Sequence, residues 1–209
     1  MRVGIFGGTF DPPHLGHLAV AVDVAWELGL DEVRWVVVGD PWQKTALGAG
    51  RTVTPGPVRW EMVLAAIAGH GGQVASDVEL RRSGPSYMVD TLREFASGPS
   101  SAAGSGQPAD DLVLLLGADA ARNLPTWHDA VAVSELARIA VFSRAGLDAG
   151  AVVEELGAAW SAQPVEATNL DISSTDIRRR VAEKRPIDGL VAPGVCTLIG
   201  LHGLYGVGG

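Results

Sequence analysis

Short apolar runs alternate with amphipathic stretches along most of the chain. The apolar runs are nearly continuous, which is typical of strands that are buried on both faces of a sheet. We predict strands at residues 3–6, 33–38, 74–80, 112–116, 138–142 and 164–167. Apolar positions at helical spacing predict helices at residues 14–28, 59–70, 86–96, 130–136, 150–160, 173–185 and 195–201.

This alternation predicts an α/β fold, because right-handed βαβ units build a parallel sheet with helices on both faces. The length of 209 residues favours a single domain, 1–209, with a small helical part from about residue 173 to 209. Residues 40–57 are rich in glycine and proline, and residues 97–110 have low complexity. We expect both segments to be surface loops.

The amino-acid composition argues against several classes of protein. The net charge of -8 argues against a nucleic-acid binder, although a few local cations could still hold a small anion. The single cysteine, Cys196, excludes an intrachain disulfide and indicates a reducing compartment. Residues 189–209 carry no formal charge, but their seven glycines favour a helix and tail over a membrane span. With no signal peptide visible at the N-terminus, we expect a cytoplasmic protein without membrane contact.

The segment between the first predicted strand and helix carries most of the chemistry. It runs G-G-T-F-D-P-P-H-L-G-H over residues 7–17. Backbone N–H groups after the strand and the start of a helix suit a bound phosphate. His14 and His17 lie three residues apart on one face of the helix, where they could stabilise charge on a leaving pyrophosphate. The spacing matches neither G-x-G-x-x-G nor the P-loop, and a metal pair lacks a third ligand nearby.

Two motifs together carry a resemblance to a known family. The pattern at residues 7–17 resembles the nucleotidylyltransferase superfamily, and in this long form the bacterial nicotinate-nucleotide adenylyltransferases, which form deamido-NAD. Residues 172–178, I-S-S-T-D-I-R, begin like a capping box at Ser173 and Asp176. They resemble the superfamily motif that closes over the ATP phosphates. The pair in this order is more specific than either motif alone, and implies a Rossmann-like, doubly wound parallel sheet.

Further marks extend the resemblance over nearly the whole chain. Residues 86–92 resemble the family's S-Y-T-x-D-T-L, with Met88 in place of the threonine. Gly117-Ala118-Asp119 resembles its G-A-D motif, although Asp119 could equally cap the helix that follows. Trp127 falls where the family has a tryptophan against the nicotinate ring, or it could be a loop anchor.

One segment departs from the common family pattern. Residues 41–44 are P-W-Q-K, where many members have P-P-H-K, so Lys44 matches while Trp42 and Gln43 do not. The Trp-Gln-Lys form and the arginine-, alanine- and glycine-rich composition are similar to actinobacterial members.

The resemblance implies in-line transfer of the adenylyl group of ATP to nicotinate mononucleotide, with release of pyrophosphate. Mg²⁺ would accompany ATP without a protein metal site, and a homo-oligomer is compatible with the sequence. The implied catalytic residues are His14, His17, Lys44 and Arg178. The implied ATP contacts are Gly7, Gly8, Thr9, Phe10, His14, His17, Gly117, Asp119, Ser143, Arg144, Ile172, Ser173, Ser174 and Arg178. The implied nicotinate mononucleotide contacts are Thr9, Lys44, Ser86, Tyr87, Thr91 and Trp127.

Three alternatives stay open at the level of sequence. The same fold could use nicotinamide mononucleotide or phosphopantetheine as the acceptor. The chain could be a non-catalytic nucleotide-binding module, although such a module need not retain all four implied catalytic residues. A metal hydrolase built on the two histidines would lack carboxylate ligands at suitable spacing.

Overall fold

The computed structural model describes residues 1–39, 52–97 and 111–206. Its strands form one six-stranded sheet in the order β3-β2-β1-β4-β5-β6, and all neighbouring strands are parallel. The strands are β1 (Arg2–Gly8), β2 (Glu32–Val37), β3 (Gln73–Ser76), β4 (Asp111–Gly117), β5 (Arg138–Phe142) and β6 (Ala162–Val165). This order confirms the predicted doubly wound parallel sheet. It also places a crevice beyond the carboxyl ends of β1 and β4, where the direction of winding reverses.

Helices connect the strands and cover both faces of the sheet. They are α1 (Leu15–Leu28), α2 (Gly56–Ile67), α3 (Met88–Ser97), α4 (Ala118–Arg122), α5 (Ala130–Leu136), α6 (Ala149–Leu156), α7 (Ser174–Ala182) and α8 (Pro193–Leu201). Short 3₁₀ turns occupy Leu124–Thr126 and Ala158–Trp160. In the part of the chain that the structure describes, no helix is both long enough and apolar enough to cross a lipid bilayer.

Each face of the sheet buries its own apolar cluster. Along β4, Leu114 belongs to the cluster beneath α3, whereas its neighbours Val113 and Leu115 belong to the cluster on the opposite face. Successive side chains of a strand point to opposite faces, so a strand covered on both sides is apolar at every position. A third cluster joins α2 to α7 and α8 through residues such as Met62 and Ile177.

Most predicted boundaries lie within a few residues of those in the structure, and the following differences have a clear physical reason. The strand predicted at residues 74–80 ends at Ser76, and a turn follows in which the Leu80 N–H donates to the Asp77 carbonyl. The helix predicted at residues 86–96 begins two residues later, at Met88. The helix predicted at 150–160 stops at Gly157, whose φ of 77° a helix cannot continue. Helix α4 was not predicted, because five residues are too few to show a periodic pattern.

Candidate active site

A cavity of about 770 Å³, the main cavity, opens at the carboxyl ends of the strands. Its walls come from the loop after β1, the start of α3, the β4–α4 junction and the start of α7. A side cavity of about 240 Å³ adjoins it between α1 and residues 168–173. The main cavity has the size of pockets that bury small ligands, and the two cavities share Phe6, His17, Asp119, Arg144 and Ser173.

His14 and His17 cap the start of α1 for each other. The His17 backbone N–H donates to Nδ1 of His14 at 3.3 Å, and the His14 backbone N–H donates to Nδ1 of His17 at 3.1 Å. The rings stack with centroids 3.6 Å apart. Because each Nδ1 accepts a hydrogen bond, the proton of each neutral ring lies on Nε2. The capping geometry therefore presents two Nε2–H donors at the helix N-terminus.

His14 is held in its neutral form. The residue is 6% exposed, and its Nε2 is buried without a hydrogen-bond partner among the described residues. Burial, and then the positive charge of Arg144, lower the pKa of His14 to about 4. A neutral donor without a protein partner suits an acceptor atom supplied by a ligand, such as a phosphate oxygen.

The start of α7 is bonded to the loop after β1. The Ser174 hydroxyl donates to the Pro12 carbonyl at 2.8 Å, and Nη1 of Arg178 donates to the Asp11 carbonyl at 2.7 Å. Ser173 caps the helix, since its hydroxyl accepts from the Asp176 N–H at 3.1 Å. The two motifs that lie far apart in sequence are therefore joined directly by hydrogen bonds.

Only one of the two hydrogen bonds of the predicted capping box at Ser173 is present, the one from the Asp176 N–H to the Ser173 hydroxyl. The Asp176 carboxylate does not return to the Ser173 N–H, but pairs with the side chains of Arg179 and Arg180. These two arginines are therefore engaged on the flank of α7, while Arg178 faces the main cavity.

Arg59 holds the same loop from inside the protein. Its guanidinium is 1% exposed, and donates to the Thr9 carbonyl at 2.8 Å and to the Thr54 carbonyl at 2.7 Å. Burial lowers the pKa of Arg59, while Asp11 opposes that change. The loop after β1 is thus held by backbone carbonyl contacts from both α2 and α7.

The β4–α4 junction forms the wall shared by the two cavities. A Cβ atom on Gly117 would lie 2.7 Å from Cδ of Arg144, so glycine allows that side chain to lie across the strand end. Gly117 itself lines neither cavity, and its contact with ATP stays a prediction. Its role is to leave space for Arg144.

Asp119 faces both cavities rather than capping α4. The helix begins at Ala118 with Gly117 as its N-cap, so the capping interpretation of Asp119 is wrong. Its Oδ1 is buried and has no hydrogen-bond partner in the described ranges. Such an acceptor suits a hydroxyl group of a ligand. The nearby Ser143 lines the side cavity, and its hydroxyl accepts from the Ala149 N–H at 3.1 Å.

Aromatic side chains enclose the far end of the main cavity, which we call the acceptor end. It is formed by Ser86, Tyr87, Met88, Trp127 and His128. The rings of Tyr87 and His128 stack at 4.2 Å and 24°. Met88, which replaces the threonine of the family pattern, lies against the backbone of β1. An aromatic-lined end of this kind suits a flat ring.

Thr91 does not reach the cavity. It is fully buried, and its hydroxyl donates to Oε1 of Glu79 at 2.7 Å. The prediction that Thr91 contacts the substrate is therefore wrong in this structure, because α3 begins at Met88 and turns this position inward. Glu79 lines the cavity, whereas Thr91 lies behind it.

The structure brings most of the other predicted residues together. The main cavity is lined by Gly7, Gly8, Thr9, Phe10, His17, Ser86, Tyr87, Asp119, Trp127, Arg144, Ser173, Ser174 and Arg178. The side cavity is lined by His14, His17, Asp119, Ser143, Arg144, Ile172 and Ser173. Lys44, with Trp42 and Gln43, lies outside the described residues.

Sequence reasoning missed three residues of this region. His128 is one of only five histidines and follows Trp127 directly, which could have marked it. Glu79 lies in a predicted buried strand, where a lone carboxylate is unusual. Tyr205 donates from its hydroxyl to Oδ1 of Asp11 at 2.6 Å, and no local signal links those two positions.

Comparisons with known proteins show the family to which the chain belongs. The cytidylyltransferase-like family model matches residues 5–180. A protein of Albidiferax ferrireducens, described as a probable nicotinate-nucleotide adenylyltransferase, is 39% identical over 206 residues that cover 98% of each chain. A protein of Corynebacterium kroppenstedtii with the same description is 39% identical over 98% of this chain and 90% of its own. The second similarity supports the predicted likeness to actinobacterial members.

A solved structure shares the fold at much lower sequence identity. Plasmodium falciparum nicotinic acid mononucleotide adenylyltransferase complexed with NaAD aligns with a TM-score of 0.71 at 16% identity, over 98% of this chain and 97% of its own. The sequence relatives cover 98% of the chain at well above 30% identity, and residues of the family motifs line the two adjoining cavities. The chain therefore belongs to the cytidylyltransferase-like family and, within it, to the nicotinate-nucleotide adenylyltransferases.

Proposed function

We propose that this chain transfers the adenylyl group of ATP to nicotinate mononucleotide, which gives deamido-NAD and pyrophosphate. One observation carries the proposal: a single cavity joins the His17 and α7 end to an aromatic acceptor end. A nucleotide phosphate and a flat ring can therefore bind in the same space. The names of the sequence relatives support nicotinate mononucleotide as the acceptor.

In this reaction a phosphate oxygen of nicotinate mononucleotide attacks the α-phosphorus of ATP. The bond from that phosphorus to the oxygen bridging the β-phosphorus breaks, and pyrophosphate leaves with the electron pair. The attacking phosphate is already anionic and needs no general base. The protein therefore acts by positioning the reactants and by stabilising the charge that develops.

The described residues supply that charge stabilisation as neutral and cationic donors. The Nε2–H groups of His14 and His17 would donate to ATP phosphate oxygens, and Arg144 lies across the same wall. Arg178 and the N-terminus of α7 would hold the outer phosphates. Lys44 would approach them from the loop that contains it. These roles derive from the family pattern and from the positions of the described side chains.

Mg²⁺ would bind together with ATP. In the described ranges no group of three His, Cys, Asp or Glu side chains could hold a metal ion. We expect the phosphate oxygens and water to provide most of its ligands, which is how Mg²⁺ is commonly bound. When bound, the ion would neutralise charge on the phosphates. The donors of α1 and α7 would then orient the phosphates that carry it.

Pyrophosphate release tests the proposal directly. The purified chain is incubated with ATP and Mg²⁺, in parallel with nicotinate mononucleotide, nicotinamide mononucleotide and phosphopantetheine. We expect strong preference for nicotinate mononucleotide. Preference for another acceptor would keep the phosphate chemistry and overturn the assignment of the acceptor end. ATP binding without release for any acceptor would indicate a non-catalytic nucleotide-binding module.

The proposal includes three further predictions, on domain organisation, cellular location and oligomeric state. We interpret residues 1–209 as one domain whose C-terminal helical part begins near residue 173. We infer a reducing, cytoplasmic location from the single cysteine. A homo-oligomer remains a prediction that the mass of the purified protein in solution would test.

A further inference from the structure

Among the described residues that form the acceptor end, His128 is the one with a basic side chain. The two arginines that line the main cavity, Arg144 and Arg178, belong to the end formed by His17 and α7. A negatively charged group on the ring of the acceptor substrate would therefore lie far from both guanidinium groups. Of the described side chains at the acceptor end, the imidazole of His128 is the one that could give it a positive partner.

The imidazole of His128 stacks on the ring of Tyr87. The ring centroids are 4.2 Å apart and the planes meet at 24°. In a stack the faces of the two rings touch, so both imidazole nitrogens stay at the ring edge, where they can donate to a ligand. An aromatic face also attracts a positive charge, which favours the protonated imidazole. In the part of the chain that the structure describes, no hydrogen bond or ion pair occupies these nitrogens.

An ion pair connects the two walls of the acceptor end beside this stack. Asp129 directly follows His128, and its carboxylate accepts from Nη2 of Arg93 on α3 at 2.6 Å. Arg93 also pairs with Asp90, in the first turn of the same helix, at 3.4 Å. These two acidic side chains are thus already paired with a guanidinium. The positive charge of His128 is left for a ligand in the cavity.

We propose that His128 selects a carboxylate over a carboxamide on the pyridine ring of the acceptor, by donating to that group as an imidazolium. This inference rests on the proposed function. Nicotinate and nicotinamide mononucleotides have nearly the same shape and differ in the charge of one ring substituent. Stacking on Tyr87 or Trp127 cannot separate them, because both substrates present the same kind of flat ring. A cationic donor separates them, because its hydrogen bond to a carboxylate is stronger than its bond to a neutral amide.

The acceptor preference of the full chain tests this inference. We measure kcat/KM for nicotinate and nicotinamide mononucleotides, with ATP and Mg²⁺, in the parent and in His128→Phe. Phenylalanine keeps a flat ring on Tyr87 but has neither a charge nor a donor. We expect kcat/KM for nicotinate mononucleotide to fall roughly tenfold, as for the loss of one hydrogen bond between charged groups. The value for nicotinamide mononucleotide should stay within about twofold, so the preference also falls roughly tenfold.

Two further variants separate the charge from the shape of the ring. Arginine is cationic and also stacks on aromatic faces, so His128→Arg should keep the preference within about threefold of the parent. Glutamine is uncharged, so His128→Gln should lose preference as His128→Phe does, and it replaces that variant if phenylalanine prevents folding. A loss in His128→Arg as large as in His128→Phe would overturn the inference, because charge would then not be the selecting feature.

His70→Phe is the matched control. His70 is exposed, as His128 is, but it precedes β3 and so lies near the amino end of that strand, away from the cavity. This substitution should leave both kcat/KM values and the preference unchanged. The melting temperature of each variant is measured alongside, and we expect little change at these exposed positions.

The possible outcomes distinguish this inference from the proposed function. An active and selective parent with an unchanged preference in His128→Phe would overturn the inference alone. Equal falls of kcat/KM for both acceptors in that variant would also overturn it, because His128 would then act only on the shape of the cavity. A parent without activity on nicotinate mononucleotide would overturn the proposed function and this inference with it.

Discussion

His14 and His17 each accept the other's backbone N–H at Nδ1, and this reciprocal cap leaves Nε2 of each ring as the nitrogen that can donate to a ligand. The same two hydrogen bonds begin α1 and select the Nε2–H tautomers. Each side chain therefore stabilises the helix with one nitrogen and, in the proposed function, would bind phosphate with the other. Substitution can separate the two roles, because the amide group of asparagine lies near the position of Nδ1 and that of glutamine near the position of Nε2.

The first prediction separates these roles at His17. Asparagine places an acceptor near the position of Nδ1, so His17→Asn should keep the cap and lose the donor. We expect kcat to fall by about 10²–10³, the usual effect of removing one preorganised donor. The melting temperature should change little. Glutamine reaches the position of Nε2 without an acceptor at Nδ1, so His17→Gln should retain more activity and lose more stability. An Asn variant with near-parent kcat would contradict the donor role.

The second prediction concerns the pH dependence of stability. The pKa of His14 is lowered to about 4 in the folded protein, against 6.5 for an ordinary histidine. Between these values the unfolded chain binds a proton that the folded chain does not. The contribution of neutral His14 to the free energy of unfolding is therefore fully present above about pH 6.5, and it is lost as the pH falls towards 4. The loss should be on the order of a few kcal/mol in the free energy of unfolding.

Urea unfolding at pH 7 and pH 5 measures this loss. His14→Asn keeps an acceptor for the His17 N–H but does not titrate, so its stability should fall less between the two pH values. An equal fall in the parent and the variant would show that other groups cause the pH dependence.

The third prediction tests the contact between Tyr205 and Asp11. The Tyr205 hydroxyl donates to the buried Asp11 carboxylate at 2.6 Å, and this contact raises the pKa of Tyr205, after burial. Tyr205→Phe should lower the free energy of unfolding by about 1–3 kcal/mol, since a buried carboxylate loses a donor. Thr54→Val is the control, because its hydroxyl contributes only a long 3.4 Å bond to Tyr205. Equal losses in both variants would argue against this contact as the source.

The fourth prediction compares two glycines. Gly39→Ala would place a Cβ atom 2.3 Å from the carbonyl oxygen of Glu79, so the backbone must move. We expect a loss of about 1–3 kcal/mol in the free energy of unfolding. Gly71 has no atom within 4 Å of an added Cβ, so Gly71→Ala should change it by less than about 0.5 kcal/mol. A similar result for both alanine variants would contradict the close contact at Gly39.

The boundaries of the elements show where local reasoning succeeds. All six predicted strands are present, because continuous apolar runs indicate burial whatever the rest of the chain does. The strand at 74–80 was predicted too long, since Val78 and Leu80 continue the apolar run through a turn. The helix at 150–160 was predicted past Gly157, whose positive φ depends on the packed conformation.

The residues of the candidate site also fall into two groups, those that the sequence could identify and those that it could not. The residues of the G-G-T-F-D-P and H-x-G-H segments could be placed together from the sequence, because they are neighbours along the chain, and both segments line the cavities. Thr91 could not be assigned correctly, since its orientation depends on where α3 begins. Glu79 could not be identified as a wall of the cavity, because its position there depends on a turn after β3 that its local pattern does not show.

The doubly wound sheet and the family can be inferred from the amino-acid sequence, since both follow from local periodicity and short motifs. The nitrogen of each histidine that accepts a hydrogen bond, and the position of Thr91 behind Glu79, became known from the folded chain. The folded chain also revealed the bond between Tyr205 and Asp11, residues 194 positions apart. The physical reason is that hydrogen-bond direction and burial depend on the packing of distant segments, and no local pattern records that packing.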